Sequence, residues 1–305
     1  MRVKIVAVAS AIALVLTLAA VKFWIPTGVS AEEDLAQAIR ANMDDVNARL
    51  EAEGAGYRLG VVEYYTAKDE VGRTVFFRDL GNKQLLFDFV PGDPRRIPWS
   101  GTGPGDDITW ASDLVDGDAG VGLGATQTAI SSAMGTWQSA TCSNIPLTKL
   151  PLGGDLGFLE FLLGGGGGPC PAADIVHAGF GTIVDPIFLP PPIIAAAFTF
   201  IFLPPTDIDN NGKIDVALRE IYYTFNFPWG INTNFPIDVE TIALHEAGHG
   251  LSQAHFGTLF QTDKNGKFHF SPRAVMNAGY TGVQQQLART DEGGHCSNWA
   301  SWSQS

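Results

Sequence analysis

The fold of this chain is decided by one stretch, His245-Glu246-Ala247-Gly248-His249-Gly250-Leu251-Ser252-Gln253-Ala254-His255. His245 and His249 stand four residues apart, so on a helix both imidazoles project from one face, about one turn from each other. Two imidazoles at this spacing can share a tetrahedral Zn²⁺, and Glu246 then lies next to a water on the metal. His255 supplies a third ligand if the chain turns sharply after His249, and the fourth position stays open for water.

An ordinary amphipathic helix could carry the first part of this pattern by chance. The third histidine argues against chance, because three of the 6 histidines in the chain fall within these eleven residues. The predicted chemistry is that of a zinc hydrolase. The metal lowers the pKa of its water, and Glu246 acts as the general base that takes the proton and delivers it to a leaving amine.

The same stretch, followed by Ala274-Val275-Met276-Asn277-Ala278-Gly279-Tyr280, resembles the metzincin zinc endopeptidases with their Met-turn. Within that clan the matrixins are most similar, since residues 238–244 resemble their active-site helix and a Tyr follows the turn Met by four residues. The resemblance implies an α+β catalytic domain with a twisted mixed sheet, an active-site helix, a Met-turn and a C-terminal helix. It also implies a protein or peptide substrate.

The resemblance gives roles to individual residues. Met276 would form an apolar floor beneath the zinc without binding it, and Tyr280 would wall the substrate pocket. Asp291 falls in a stretch that resembles the last matrixin helix, where an acidic residue steadies the Met-turn. Residues 195–203 would be the edge strand bordering the cleft, where unpaired backbone groups hold an extended peptide.

Two positions depart from the matrixin pattern. Ser252 stands where the family has Gly, at the point where the helix ends and φ is often positive. Replacing Ser252 with Gly is therefore predicted to be tolerated or mildly stabilising if this residue is left-handed. Ala278 replaces the Pro that follows the turn Met, so the shape of the pocket does not carry over.

A second metal signal lies between residues 207 and 215. Oxygen-bearing groups at alternate positions, with Gly at the sixth, match the start of an EF-hand-type calcium loop. Leu218 occupies the position of the closing Glu, and an Asx-rich turn is the alternative interpretation. The candidate ligands of a structural Ca²⁺ are Asp207, Asp209, Asn211, Lys213 and Asp215.

The N-terminus predicts export. Arg2 and Lys4 precede an apolar run that ends at Ala20, and a small-residue cleavage site follows, so residues 1–31 are interpreted as a signal peptide. An uncleaved membrane anchor is the alternative, although the run is short for a span. In either case the working domain lies outside the cytosol, secreted or extracytoplasmic, and touches a membrane only if this segment is retained.

Residues 32–98 are predicted to form a small α+β unit of their own, joined by a linker at residues 99–107 to a catalytic domain at residues 108–305. One amphipathic helix should end near Gly54, and strands are expected at residues 57–65, 74–77 and 84–90. This unit could be a pro-region, a folding aid or a binding module. No cysteine lies between Ala31 and Cys142, so the cysteine switch by which matrixin propeptides hold the zinc is absent from this region.

In the catalytic region a helix is expected at residues 126–139, with strands at residues 173–180, 195–203 and 220–227. Residues 187–203 are almost wholly apolar, but three consecutive prolines argue against a membrane-spanning helix. Three cysteines suggest one disulfide and one free thiol, with the pair left open.

Composition limits the remaining choices. The net charge of −13 argues against nucleic acid as a partner, and 45% hydrophobic residues suffice for a core. We expect a monomer. Two alternatives to a general endopeptidase stay open: an exported binding module with a structural or vestigial zinc site, and a zinc amidase of narrow specificity.

Overall fold

The computed structural model describes residues 31–66, 84–96, 105–113, 115, 117–234, 236–261, 268–300 and 302. Among these residues, the contacts group those from 38 onward into one unit, apart from residues 31–37. The described helices are α1 Ala31–Ala52, α2 Leu123–Gln138, α3 Phe158–Leu163, α4 Val184–Phe188, α5 Val239–Gly250 and α6 Arg289–Trp299. The described strands are β1 Tyr57–Thr66, β2 Phe87–Asp88, β3 Ile108–Ser112, β4 Leu147–Lys149, β5 Ile175–Gly179, β6 Ile193–Phe202, β7 Ile214–Tyr223, β8 Trp229–Gly230, β9 Ile237–Asp238, β10 Thr258–Gln261 and β11 Phe268–Ser271.

A seven-stranded mixed sheet organises this α+β chain. Its order is β1-β6-β7-β5-β3-β4, and β2 pairs with the start of β7. The pairs β1–β6 and β6–β7 are antiparallel, whereas β5, β3 and β4 continue the sheet in parallel. Parallel strands need long crossovers, and α2 lies within the crossover that joins β3 to β4. The predicted α+β class is confirmed.

The predicted edge strand is wrong in one respect. Residues 195–202 do belong to a strand, β6, but β6 lies inside the sheet between β1 and β7. The edge strand on this side of the sheet is β1, from the region that was predicted to be a separate unit. Sequence could not reveal this because β1 and β6 are more than a hundred residues apart. Contacts group the described residues from 38 onward into one unit, and the predicted boundary at residues 99–107 stays a prediction.

Several predicted elements are found with adjusted bounds. The predicted first helix is α1, the strand at 57–65 is β1, and the helix at 126–139 is α2. The strand at 84–90 shrinks to β2, while the strand at 220–227 is β7 and begins earlier, at Ile214. The predicted strand at 74–77, the segment 1–30 and residues 99–104 lie outside the described residues.

The apolar stretch at 187–203 divides at its prolines, as predicted. Its first residues close the short helix α4, and the rest forms β6, which is buried along almost its whole length. Burial between neighbouring strands and the helices explains why this strand is continuously apolar. Among the described residues, no helix has both the length and the apolar character needed to cross a membrane.

Helix α5 packs beside α2, and local contacts fix its position. Asp238 caps α5: its Oδ2 accepts the Thr241 amide at 2.9 Å and the Thr241 hydroxyl at 2.6 Å. Trp137 of α2 donates its indole N–H to the carbonyl of Leu244 at 2.8 Å. A Cβ at Gly248 would overlap both Trp137 and Met276, so this residue must lack a side chain. A disulfide between Cys142 and Cys296 joins the loop after α2 to α6, and Cys170 is free and exposed.

Candidate metal centre and active site

Three histidines meet at the end of α5. The Nε2 atoms of His245 and His249 are 3.1 Å apart, and each lies 3.0 Å from Nε2 of His255. All three side chains are buried. The structure thus brings together the three residues that the sequence predicted as zinc ligands.

The turn that brings His255 back to the helix is made at Ser252. Its φ is +65°, which confirms the left-handed conformation inferred from the family's Gly at this position. The amide of Ser252 donates to the carbonyl of His249 at 2.9 Å, and the amide of Gln253 donates to Gly248 at 2.9 Å. These bonds close the helix and redirect the chain.

Backbone carbonyls orient two of the imidazoles. His245 Nδ1 lies 2.7 Å from the carbonyl oxygen of Val275, and His249 Nδ1 lies 2.9 Å from that of Gln253. A carbonyl can only accept, so in each ring Nδ1 carries the proton and Nε2 keeps its lone pair. Both Nε2 lone pairs face the point at which the three Nε2 atoms converge.

This donor set fits a zinc ion. Three nitrogens held tetrahedrally at about 2.0–2.1 Å from one zinc ion lie about 3.3 Å from each other, close to the observed separations. Two neutral imidazole nitrogens whose lone pairs face one point, with a third imidazole nitrogen 3.0 Å from both, are the chemistry of a metal ligand set. Burial lowers the pKa of all three imidazoles, that of His249 to about 3, and so favours the neutral form that binds metal.

Glu246, the candidate base, is fully buried. Neither of its carboxylate oxygens has a hydrogen-bond partner among the described residues. Burial raises the pKa of this carboxyl well above its ordinary value, and the nearby Glu63 carboxyl raises it further. A buried carboxylate without a partner is costly, so its retention beside three histidines points to a role in chemistry.

The segment around Met276 is held from below by Asp291. The carboxylate accepts the amides of Val275 at 2.9 Å, Met276 at 3.1 Å and Ala288 at 2.8 Å. Asp291 therefore steadies this turn, as the resemblance implied. Since the carbonyl of Val275 also orients His245, Asp291 supports this candidate ligand indirectly.

Tyr280 has a structural role. Its hydroxyl accepts the amide of Asp238 at 3.1 Å and donates to the carbonyl of Thr233 at 3.2 Å. These bonds tie the segment after the turn to the start of α5. The predicted role as a pocket wall remains a prediction.

The chain matches no model of a known protein family, and no curated protein matches it. The chemistry of the site is therefore inferred from three nitrogen donors, one buried carboxylate and the turn that supports them.

Two residues at the site were missed by sequence reasoning. The ring of Tyr65, on β1, stacks on His245 with centroids 3.8 Å apart and planes 15° from parallel. Arg219, on β7, donates to the carbonyl of Gly250 at 2.7 Å and to the hydroxyl of Ser252 at 2.9 Å. A charged residue inside an apolar strand was a usable signal for Arg219, whereas nothing in the sequence linked Tyr65 to the histidines.

In the predicted calcium loop, residues 207–215, three aspartates lie close together, and these aspartates also have protein partners. Carboxylate oxygens of Asp207, Asp209 and Asp215 lie within 4.8 Å of one another. Asp215, however, pairs with Arg95 at 2.6 Å. Asp207 accepts the amides of Asn211 and Gly212, both at 2.9 Å.

Two of the candidate calcium ligands are engaged in other contacts. The side-chain amide of Asn211 donates to Asp209 at 2.9 Å and to Asp88 at 3.1 Å. Lys213 Nζ pairs with Asp88 at 3.2 Å and donates to Asn298 at 2.7 Å. The loop gathers three carboxylates and is partly braced by its own hydrogen bonds, as an Asx-rich turn would be.

Proposed function

We propose that the chain is an exported, zinc-dependent endopeptidase with a matrixin-like metzincin fold. The observation that carries this proposal is the convergence of three buried Nε2 atoms within 3.1 Å, with the partnerless carboxylate of Glu246 adjacent in sequence to His245. The support that Asp291 gives to the turn at Met276 agrees with the same family pattern. Export is proposed from the N-terminal segment.

His245, His249 and His255 would hold the zinc ion. When bound, zinc acts as a Lewis acid that polarises a carbonyl and lowers the pKa of water toward about 7. The carbonyls of Val275 and Gln253 keep the rings of His245 and His249 in the orientation that ligation requires.

Glu246 would move the proton. Because its oxygens have no competing partner among the described residues, the carboxylate can take a proton from water as the peptide carbonyl is attacked. It can then deliver that proton to the amine of the departing peptide. The burial of Glu246 keeps bulk solvent away from both transfers.

The test uses the full chain loaded with zinc, as wild type and as Glu246→Ala. Denatured casein serves as an unstructured substrate, and bound zinc is measured for each protein. We expect wild-type cleavage that a chelator abolishes, and a loss of several orders of magnitude in Glu246→Ala with zinc retained.

Glu240→Gln is the matched control, since Glu240 is a half-buried carboxylate in the same helix. It should cleave like wild type. Zinc binding without any cleavage of casein would contradict the proposal and favour the binding module or a narrow-specificity amidase. Loss of zinc from Glu246→Ala would show that this residue is not the base.

A further inference from the structure

Strand β1 fills the position of a peptide beside the histidines. Along its length it pairs antiparallel with β6, from Tyr57 opposite Phe202 to Thr66 opposite Ile193. It is the outermost strand of the sheet, so β6 would present a free edge without it. A free edge of this kind binds extended peptides through main-chain hydrogen bonds.

The C-terminal end of β1, at Thr66, also forms hydrogen bonds with a second segment, residues 278–280. The carbonyl of Thr66 accepts the amide of Tyr280 at 3.0 Å, and the Thr66 hydroxyl donates to the carbonyl of Ala278 at 3.2 Å. Thr66 also forms a parallel bridge with Gly279. The backbone here therefore lies between an antiparallel strand and a parallel segment that follows Met276.

The C-terminal end of β1 contacts the candidate metal centre. Tyr65, one residue before Thr66, stacks on the ring of His245 at 3.8 Å and is almost fully buried. A substrate peptide must bring its backbone to the three histidines, and β1 now occupies that approach. The two cannot be present together.

We propose that β1 is a built-in occupant of the peptide-binding groove and that only the fraction of molecules from which β1 has left the groove cleaves substrate. The groove consists of the outer edge of β6 and residues 278–280, and its ligand is an extended peptide in the same direction as β1. This inference rests on the proposed function and adds its regulation. Held by its own chain, β1 excludes substrate by effective concentration and needs no cysteine on the metal.

The outermost position makes release feasible. When β1 leaves, β6 keeps its full pairing with β7, so the remaining sheet is not broken. The links that hold β1 to α1 are a pair of hydrogen bonds between Leu59 and Asn47, at 2.7 and 3.0 Å. These bonds lie at the start of the strand, where burial is least, whereas the end over the histidines is buried and is held by the bonds of Thr66, so release of β1 must break both sets of contacts.

A reversible covalent lock tests this. Glu63 and Ala197 are paired residues on β1 and β6. The full-length double variant Glu63→Cys/Ala197→Cys, in a Cys170→Ser background, can form a cross-strand disulfide that holds β1 in place. Glu63→Cys alone in the same background controls for loss of the carboxylate and for the action of reductant on Cys142–Cys296.

Two measurements are made on the double variant, with its cross-strand disulfide (the lock) either oxidised or reduced. The first is hydrolysis of denatured casein by the zinc-loaded protein. The second, made with Glu246→Ala added, is hydrogen exchange of residues 57–66 with and without casein. We expect the oxidised lock to cleave at least about tenfold more slowly than its reduced form, because only the released fraction is competent. Casein should speed exchange in β1 only when the lock is reduced.

The outcomes separate this inference from the proposed function. Equal cleavage by the oxidised and reduced lock overturns the inference and leaves the endopeptidase standing. Absence of cleavage in both forms, with casein still speeding exchange of reduced β1, overturns the endopeptidase and supports the groove. Absence of both cleavage and displacement overturns the two together.

Discussion

The hydroxyl of Ser252 accepts a hydrogen bond from Nη1 of Arg219 at 2.9 Å, and both side chains are fully buried. The backbone of Ser252 has φ of +65°, a strained conformation for a residue with a side chain. The hydroxyl of this same side chain is a hydrogen-bond partner of the buried guanidinium. Arg219 donates as well to Thr199 at 3.0 Å, to Gly250 at 2.7 Å and to Phe87 at 2.9 Å. It thus joins the end of α5, which carries two of the candidate metal ligands, to the sheet.

This pair changes the forecast for Ser252→Gly. Relief of left-handed strain is worth about 1 kcal/mol, whereas a hydrogen bond to a charged group is worth about 1.5–3 kcal/mol. We therefore expect Gly to destabilise the chain by about 1 kcal/mol, in place of the tolerance predicted from sequence. Ser252→Ala loses the bond and keeps the strain, so it should cost more. Denaturant midpoints give the order, and a Gly variant as stable as wild type would show that the bond contributes little.

Asp291→Asn tests the support of the Met-turn. Asparagine has one acceptor oxygen for three amides, and its NH₂ group would face an amide donor. We expect a loss of about 2–3 kcal/mol in unfolding free energy and weaker zinc retention, since Val275 orients His245. Glu292→Gln, at the exposed neighbouring position, is the control. Zinc competition with a chelator and thermal unfolding report both effects; unchanged zinc retention would separate the turn from the metal site.

His177 should contribute to acid sensitivity. Its Nδ1 lies 2.9 Å from the Tyr223 hydroxyl, and burial lowers its pKa to about 3 from 6.5. The folded state therefore binds fewer protons than the unfolded state between these values, so stability is lost as pH falls through this window, by at most about 1.4 kcal/mol per pH unit. His177→Gln removes this contribution and should flatten the acid limb of a stability–pH profile. Parallel profiles for the two proteins would refute the assignment.

Calcium is expected to stabilise the loop at residues 207–215. Carboxylate oxygens of three aspartates lie within 4.8 Å of one another, and Arg95 forms an ion pair with one of them, Asp215. A calcium ion would relieve the remaining repulsion, so the melting temperature of the zinc-loaded protein should rise with added Ca²⁺. Asp209→Asn should abolish that rise, and Asp44→Asn, an exposed aspartate on α1, should not. No rise in the wild type would leave the loop as an Asx-rich turn.

Local pattern was sufficient for the centre of the site. The four-residue spacing of His245 and His249 requires a helix, and the position of His255 requires a turn, so both could be predicted without any knowledge of neighbouring strands. The positive φ of Ser252 was expected from the resemblance, because the matrixins have Gly at this position. Apolar periodicity located α1, α2 and β6 within a few residues.

Only the tertiary structure decided which parts of the chain meet. The disulfide spans 154 residues of sequence, Tyr65 stacks on a histidine 180 residues later, and Arg219 anchors Ser252 from another strand. The interior position of β6 has the same origin, since its partner β1 comes from far upstream. Backbone propensity and side-chain periodicity act over a few residues, whereas strand pairing and burial are chosen by the free energy of the whole packed chain. The sequence alone therefore determined the candidate ligands and base, and the tertiary structure determined what covers them.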